Sequence, residues 1–247
     1  MSDIIVDNAG AILTLSFNRP AKRNAITHEM YQVLAEQLRI ASDDFAIRVV
    51  VIKAVGEHFT AGNDIGDFLN TPPIDSSSPV IQFLTALHNF PKPILTSVKG
   101  NAVGIGTTLL LHTDINVCSP SAKFSMPFVS LGLVPEAGSS FLFTKLAGHQ
   151  MASRIFLTGE SFDAHTAHKI GLVSEISDDA DTRIEILAQK IAEQPAGAVL
   201  QTKALLKSAD HEKVGAVMKA EAELFALALQ SDEAREAFFA FMAKRNG

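Results

Sequence analysis

The chain has 247 residues, 47% of them apolar and 19% charged, which are ordinary proportions for a globular protein with a large core. Its net charge of −6 argues against bulk binding to nucleic acid or to an anionic membrane, and its single cysteine excludes an intrachain disulfide. No apolar run approaches the ~20 residues that span a bilayer, and the opening Met1-Ser2-Asp3 is not followed by a basic and then apolar leader, so a reducing, cytoplasmic setting is expected.

Taken in order, Ile4-Ile5-Val6 and the apolar run from Ala11 to Phe17 flank Asp7-Asn8-Ala9-Gly10 and read as a β-hairpin. Pro20 ends the second strand because it has no N–H to give a ladder. Thr27 suits an N-cap, and Met30, Val33, Leu34, Leu38 and Ala41 follow at helical spacing. RVVVIKAV over residues 48–55 is the kind of β-branched run found in a strand covered on both faces. Residues 59–64, FTAGND, then form a small-residue turn into a brief helix, and the Pro/Ser-rich stretch 70–79 reads as a loop. A helix is expected over 80–89, with Pro91 and Pro93 marking the exit into a buried strand at Ile94–Val98.

The stretch from 90 to 140 organises the rest. After the buried strand comes Gly100-Asn101-Ala102-Val103-Gly104-Ile105-Gly106, a loop without bulk to keep a ligand from the backbone. A buried helix is expected from 107 to 112, and a Gly-rich turn into a helix leaves N–H groups where negative charge is welcome. A second turn sets one carboxylate, Glu136, between Pro135 and Ala137-Gly138. Two small-residue turns, each directly after a buried strand, can offer backbone N–H groups to one oxygen, and a placed acid beside them points to proton transfer next to an oxyanion.

Beyond residue 140 the pattern is helical. A helix pair is punctuated by Gly148 over 141–157, and a short helix over 164–171 is followed by an extended Leu172-Val173-Ser174-Glu175. Helices are then expected over 182–193, Ala196–Ser208, 212–230 and 232–244. The predicted organisation is an α/β core over 1–190 and a C-terminal helical region over 191–247.

Other constellations fail on spacing. Gly104-Ile105-Gly106 lacks the third glycine of a dinucleotide turn, no GK[ST] follows the glycines, and Ser139-Ser140 lacks a nucleophile elbow. His165 and His168 are placed on an exposed helix face, His58 in a surface loop, and Cys118 in the core. No metal site is predicted.

Several segments together resemble the crotonase (enoyl-CoA hydratase/isomerase) superfamily over nearly the whole chain. They are Asn18-Arg19-Pro20 with Asn24-Ala25-Ile26, the 59–64 turn, Phe90-Pro91-Lys92-Pro93 with Gly104-Ile105-Gly106, and Leu157-Thr158-Gly159 with the run from Ala167 to Val173. The resemblance implies a spiral of ββα units, a C-terminal helical trimerisation region giving a homotrimer or a dimer of trimers, and acyl-CoA thioester substrates without a further cofactor. It implies that the N–H groups of Ala61 and Ile105 hold the thioester oxygen. Position 105 is commonly Gly in the family, so Ile105 must take an ordinary backbone conformation.

The two carboxylates that the family's hydratases use fall here at Thr108 and Phe128, and neither side chain can exchange a proton with water at neutral pH. Glu136 instead falls where the Δ3,Δ2-enoyl-CoA isomerases carry their base, and the Gly62-Asn63-Asp64 and Pro135-Glu136-Ala137-Gly138 segments look most like the peroxisomal-type isomerase and its bacterial relatives. Phe128, Val129, Leu131 and Leu133 are expected to exclude water and raise the proton affinity of Glu136. The resemblance places coenzyme A along the backbone of Ala61, Gly62, Asn63, Asp64 and Ile65, with Gly104 and Phe128 also touching substrate. Lys22, Arg23, Lys244 and Arg245 could meet its phosphates. The alternatives are another acyl-CoA enzyme of this fold, a hydratase or thioester hydrolase using Asp64 or Asp67, and a non-catalytic assembly module. The 70–79 loop is expected to line the acyl tunnel.

Overall fold

The computed structural model describes the backbone of residues 2–70 and 77–246. Its strands are β1 (Ile4–Ala9), β2 (Ile12–Phe17), β3 (Val49–Ala54), β4 (Ile94–Val98), β5 (Asn101–Val103), β6 (Ile115–Cys118), β7 (Lys123–Ser125), β8 (Phe162–Asp163) and β9 (Glu175–Ile176). The α-helices are α1 (His28–Asp43), α2 (Ile65–Asn70), α3 (Pro79–Asn89), α4 (Ile105–Thr108), α5 (Ser139–Ala147), α6 (His149–Thr158), α7 (Ala164–Lys169), α8 (Ala180–Ala192), α9 (Ala196–Ser208), α10 (His211–Leu229) and α11 (Asp232–Asn246). Within the loop expected over 70–79, Asn70 ends α2 and Pro79 opens α3, while residues 71–76 lie outside the described residues. The helix expected over 107–112 is only the single turn α4, which tightens into a 3-10 turn at Leu109–Leu111.

β1 and β2 form the predicted hairpin, turning at Gly10, whose φ of +64° a residue with a Cβ rarely adopts. A six-stranded sheet runs in the order β1-β2-β3-β4-β6-β9, parallel from β2 onward, and β5-β7-β8 form a smaller sheet. The VVVIKA of β3 sends its two faces to two cores: Val50 and Ile52 join the main cluster, while Val49 and Val51 pack with Ala180, Ile184 and Ala188 of α8. Asp179 caps α8 by accepting the Thr182 N–H at 3.0 Å, which starts that helix two residues before its apolar pattern does.

The C-terminal helices share the main core rather than resting on it. Phe225 of α10 and Ala234 and Phe238 of α11 belong to the same cluster as β2 and β4. Lys203 of α9, 5% exposed, reaches the Asp114 carboxylate at 2.7 Å and the Lys92 carbonyl at 2.5 Å. Among the described residues no helix is long and apolar enough to cross a membrane.

Candidate active site

β3 and β4 are parallel neighbours, so the turns that leave their C-terminal ends lie at one edge of the sheet. These turns are bonded directly to each other. The Thr60 N–H donates to the Asn101 carbonyl at 3.0 Å, and the Val103 N–H returns to the Thr60 carbonyl at 3.1 Å. Contact this close explains the small residues: a Cβ on Gly62 (φ +84°) would sit 2.8 Å from the Val103 carbonyl oxygen, and one on Gly106 would sit 2.4 Å from the Thr60 methyl. Asn24 locks the assembly from beneath. Fully buried and at φ +55°, it accepts the Arg19 N–H at 2.7 Å and donates to the Val55 and His58 carbonyls. His58 is therefore a half-buried part of this packing and not a loose surface residue: its Nδ1 also accepts the Asn101 N–H at 3.3 Å.

The donor assignment within the first turn needs correction. The Ala61 N–H is already spent on the Arg23 carbonyl at 2.9 Å. Two residues on, Asn63 bridges Ile26, but the bonds of that bridge come from the Ile26 and Asp64 N–H groups, so the Asn63 N–H faces away from it. Among the described residues neither the Asn63 nor the Ile105 N–H has an acceptor. Ile105 behaves as its side chain requires: Gly104 takes the positive φ (+57°), and Ile105 opens α4 with its side chain in the core.

Glu136 precedes two consecutive left-handed residues, Ala137 (φ +60°) and Gly138 (φ +70°), before α5 begins. A left-handed alanine is strained and persists only where neighbours hold it. Three elements do so here. The Thr108 hydroxyl of α4 donates to Glu136 Oε1, His112 Nε2 lies 2.6 Å from the Ala137 carbonyl, and Glu221 of α10 accepts the Gly138 and Ser140 N–H groups at 2.6 and 2.9 Å. Burial pushes the Glu136 carboxyl up to about 8, against the Thr108 hydrogen bond and with help from the Glu221 charge. His112 is held down at about 3 by burial, so its imidazole is neutral and donates to Ala137.

Glu136 opens on a cavity of about 660 Å³ between α3 and α10, mostly apolar through Val80, Leu84, Met218 and Phe225, with Asn63 also in its wall. The Asn63 side chain accepts the Tyr31 hydroxyl at 2.5 Å, and burial, with the Glu136 charge behind it, keeps that phenol protonated far above its usual range. At the far end the imidazoles of His88 and His211 stack 4.3 Å apart and separate this cavity from a second one lined by Lys203 and Lys207.

The remaining expected positions are scattered. Phe128 is buried against Phe156, outside the cavity wall, and Val129 is exposed, so the apolar enclosure of Glu136 comes from the walls of α3 and α10 instead. Asp64 pairs with Arg19 at 3.2 Å, Asp67 accepts the His28 N–H at 2.6 Å, and Ile65 starts α2, which are structural tasks. Lys22 and Arg23 lie exposed at the 3-10 turn Pro20–Lys22 and its end, and the Lys244 and Arg245 side chains lie outside the described residues. His165 and His168 are exposed, and Cys118 is fully buried, its thiol pushed up to about 12. The sequence carries no local signal for the contributions of Thr108, His112, Tyr31 and Glu221, whose partners lie 28, 25, 32 and 83 residues away in the chain.

A family profile described as enoyl-CoA hydratase/isomerase matches residues 7–247. The chain is 32% identical to 2,3-dehydroadipyl-CoA hydratase of Escherichia coli (strain K12), covering 99% of this chain and 97% of that one. It is equally, 32%, identical to enoyl-CoA delta isomerase 2 of Rattus norvegicus, covering 98% of this chain but 64% of that longer protein. The crystal structure of an enoyl-CoA hydratase/isomerase from Pseudoalteromonas atlantica T6c superposes with a TM-score of 0.94 at 38% identity, over 98% of both chains. Equal likeness to a hydratase and to an isomerase leaves the choice between them to the chemistry of the site.

Proposed function

This chain belongs to the enoyl-CoA hydratase/isomerase family, and we propose that within it the protein is a Δ3,Δ2-enoyl-CoA isomerase that uses Glu136 as its one acid/base. The observation that carries this reading is the buried carboxylate of Glu136 on a mostly apolar cavity whose other acids, Glu212 and Glu223, are exposed to solvent, with a hydroxyl (Thr108) and a phenyl (Phe128) where the family's hydratases are expected to hold acids. Syn hydration must activate a water and protonate C2 together, which one carboxylate that already accepts from Thr108 is poorly equipped to do. An allylic shift needs only one. The ionised Glu136 takes the C2 proton of a 3-enoyl thioester, and the C–H electron pair forms C1=C2 and pushes charge onto the thioester oxygen to give a dienolate. As that charge collapses to re-form the carbonyl, the C1=C2 pair becomes C2=C3 and the C3=C4 pair takes the proton back from the same carboxyl at C4. The double bond moves from C3–C4 to C2–C3 with no other reactant.

In this scheme the dienolate charge settles on the thioester oxygen, and the Asn63 and Ile105 N–H groups receive it. Donors of this kind are each worth about 10²–10³ in rate. A base that titrates near 8 is matched to moving protons at neutral pH. Lys22 and Arg23 remain the proposed phosphate contacts, and the exposed Leu205, Leu206 and Leu227 of α9 and α10 suit burial in a homotrimer. The test is turnover of trans-3-hexenoyl-CoA and of crotonyl-CoA by wild type and Glu136→Gln. We expect isomerisation in wild type, a loss of about 10³-fold in the variant and no hydration of crotonyl-CoA by either. Hydration that survives in Glu136→Gln would overturn the assignment.

A further inference from the structure

Glu221 has no part in the reaction as written, yet it is the one acidic residue among the described residues with a side chain as buried as the core, 7% exposed. It sits in the middle of α10, 85 residues after the base, and spans the start of α5 with both oxygens: Oε2 accepts the Gly138 N–H and Oε1 the Ser140 N–H. These N–H groups have no partner within their own helix, so a negative charge is favoured there. A neutral acceptor would serve for capping alone, and burying a carboxylate where none is required is costly. The turn it grips is the strained Ala137-Gly138 pair that aims Glu136 into the cavity.

We propose that Glu221 is the positioning residue of the catalytic base: by accepting the Gly138 and Ser140 N–H groups its carboxylate ties α10 to the turn that holds Glu136 on the cavity. This rests on the isomerase reading for its kinetic consequence, not for its geometry. The groups facing Glu136 are few. Tyr31 of α1 and Thr108 of α4 are uncharged, and His112, behind Ala137, is neutral. His88 of α3 and His211, Glu212, Lys219 and Glu223 of α10 line the same cavity, the last three exposed to solvent that screens them. The Glu221 charge is the one that adds to burial in raising the proton affinity of Glu136. Glu221 is itself raised by burial and drawn back by the N–H groups it accepts.

The experiment compares wild type, Glu221→Gln and Glu221→Asp in 3-hexenoyl-CoA kinetics across pH and in thermal unfolding. In parallel, the infrared carboxyl band of Glu136, identified by difference from Glu136→Gln, is titrated in the wild-type and Glu221→Gln backgrounds. Glu221→Gln keeps the size and one acceptor but removes the charge. It should move the acid limb of the rate profile and the infrared midpoint to lower pH, and reduce kcat about 10-fold with KM within about 3-fold. Glu221→Asp keeps the charge but not the reach, so kcat should fall while the limb stays near its wild-type position. A lowered Tm with an unmoved limb, an unmoved infrared midpoint and wild-type kcat would reduce Glu221 to a helix cap and overturn the proposal. If wild type fails to isomerise 3-enoyl substrate but the infrared midpoint still falls in Glu221→Gln, the isomerase reading fails and the positioning role stands.

Discussion

The two halves of the candidate site are built on opposite principles. The donor half, residues 59–64 and 100–106, is made of backbone held by backbone: two turns hydrogen-bonded to each other, with Gly62 and Gly106 at the points where a Cβ would collide. The base half, residues 135–140, carries its function on one side chain and is held by side chains from three distant elements, Thr108, His112 and Glu221. A donor built from peptide groups tolerates side-chain exchange so long as the turn keeps its shape. A base held by a harness of side chains can be retuned by changing any strap. Exchanging side chains would therefore alter the base half of such a site before the donor half.

The sharpest way to break the contrast is to damage the donor half through shape alone. Gly62→Ala adds one methyl, but at φ +84° and 2.8 Å from the Val103 carbonyl the turn must open, moving the Asn63 N–H. We expect kcat to fall about 10²-fold, the loss of one oxyanion donor. Asn63→Ala keeps the N–H and removes only the amide that Tyr31 contacts, so it should cost far less than Gly62→Ala in the same kinetic assay. Equal losses in the two would mean that the Asn63 side chain, not its backbone, does the work.

On the base half, Thr108→Val removes a hydroxyl and leaves the packing volume nearly unchanged. The hydroxyl lowers the proton affinity of Glu136, so its loss should shift the acid limb of kcat/KM to higher pH. With one carboxylate oxygen no longer tethered, kcat at the plateau should fall about 10-fold. Kinetics from pH 5 to 10 separate the two effects. A limb that stays put would show that the Thr108 bond is not made to the ionised base.

How much of this could be read beforehand follows the same division. β4 and α9 were legible to the residue and the double burial of β3 was evident, because each depends on a local run of residue types. The two turns were legible because their glycines are adjacent in sequence to the strands they leave. Which N–H is free was not, since the Ala61 donor is consumed by the Arg23 carbonyl, 38 residues earlier in the chain. Glu136 stood out as a carboxylate in a Gly turn, but its harness did not. His112 lies 24 residues before it and Glu221 85 after it, and the spacing says nothing of a contact that exists only once α10 has packed on α5.

The smallest expected effect is on stability, and its sign follows from burial. The Glu136 carboxyl titrates near 8 in the folded chain and near its ordinary 4.5 in the unfolded one. Between those limits the folded chain holds the extra proton, so stability falls as pH rises through that window and levels off above it. Glutamine has the same shape, still accepts from Thr108 and never ionises. Glu136→Gln should therefore unfold with wild type near pH 4 and increasingly above it as pH rises, reaching a Tm advantage of about 10 °C by pH 9. The gain is read by calorimetry on the inactive variant and needs no substrate. Glu221 sharpens the inference, because the cost of ionising Glu136 beside it includes their repulsion: in a Glu221→Gln background the same substitution should gain less. A Tm difference that is independent of pH would mean that Glu136 titrates in the folded chain as it does in water, with the cavity open enough to hydrate it. The base would then lack the raised proton affinity that the isomerase reading uses, while the hydrogen bonds from the Gly138 and Ser140 N–H groups to Glu221 would stand.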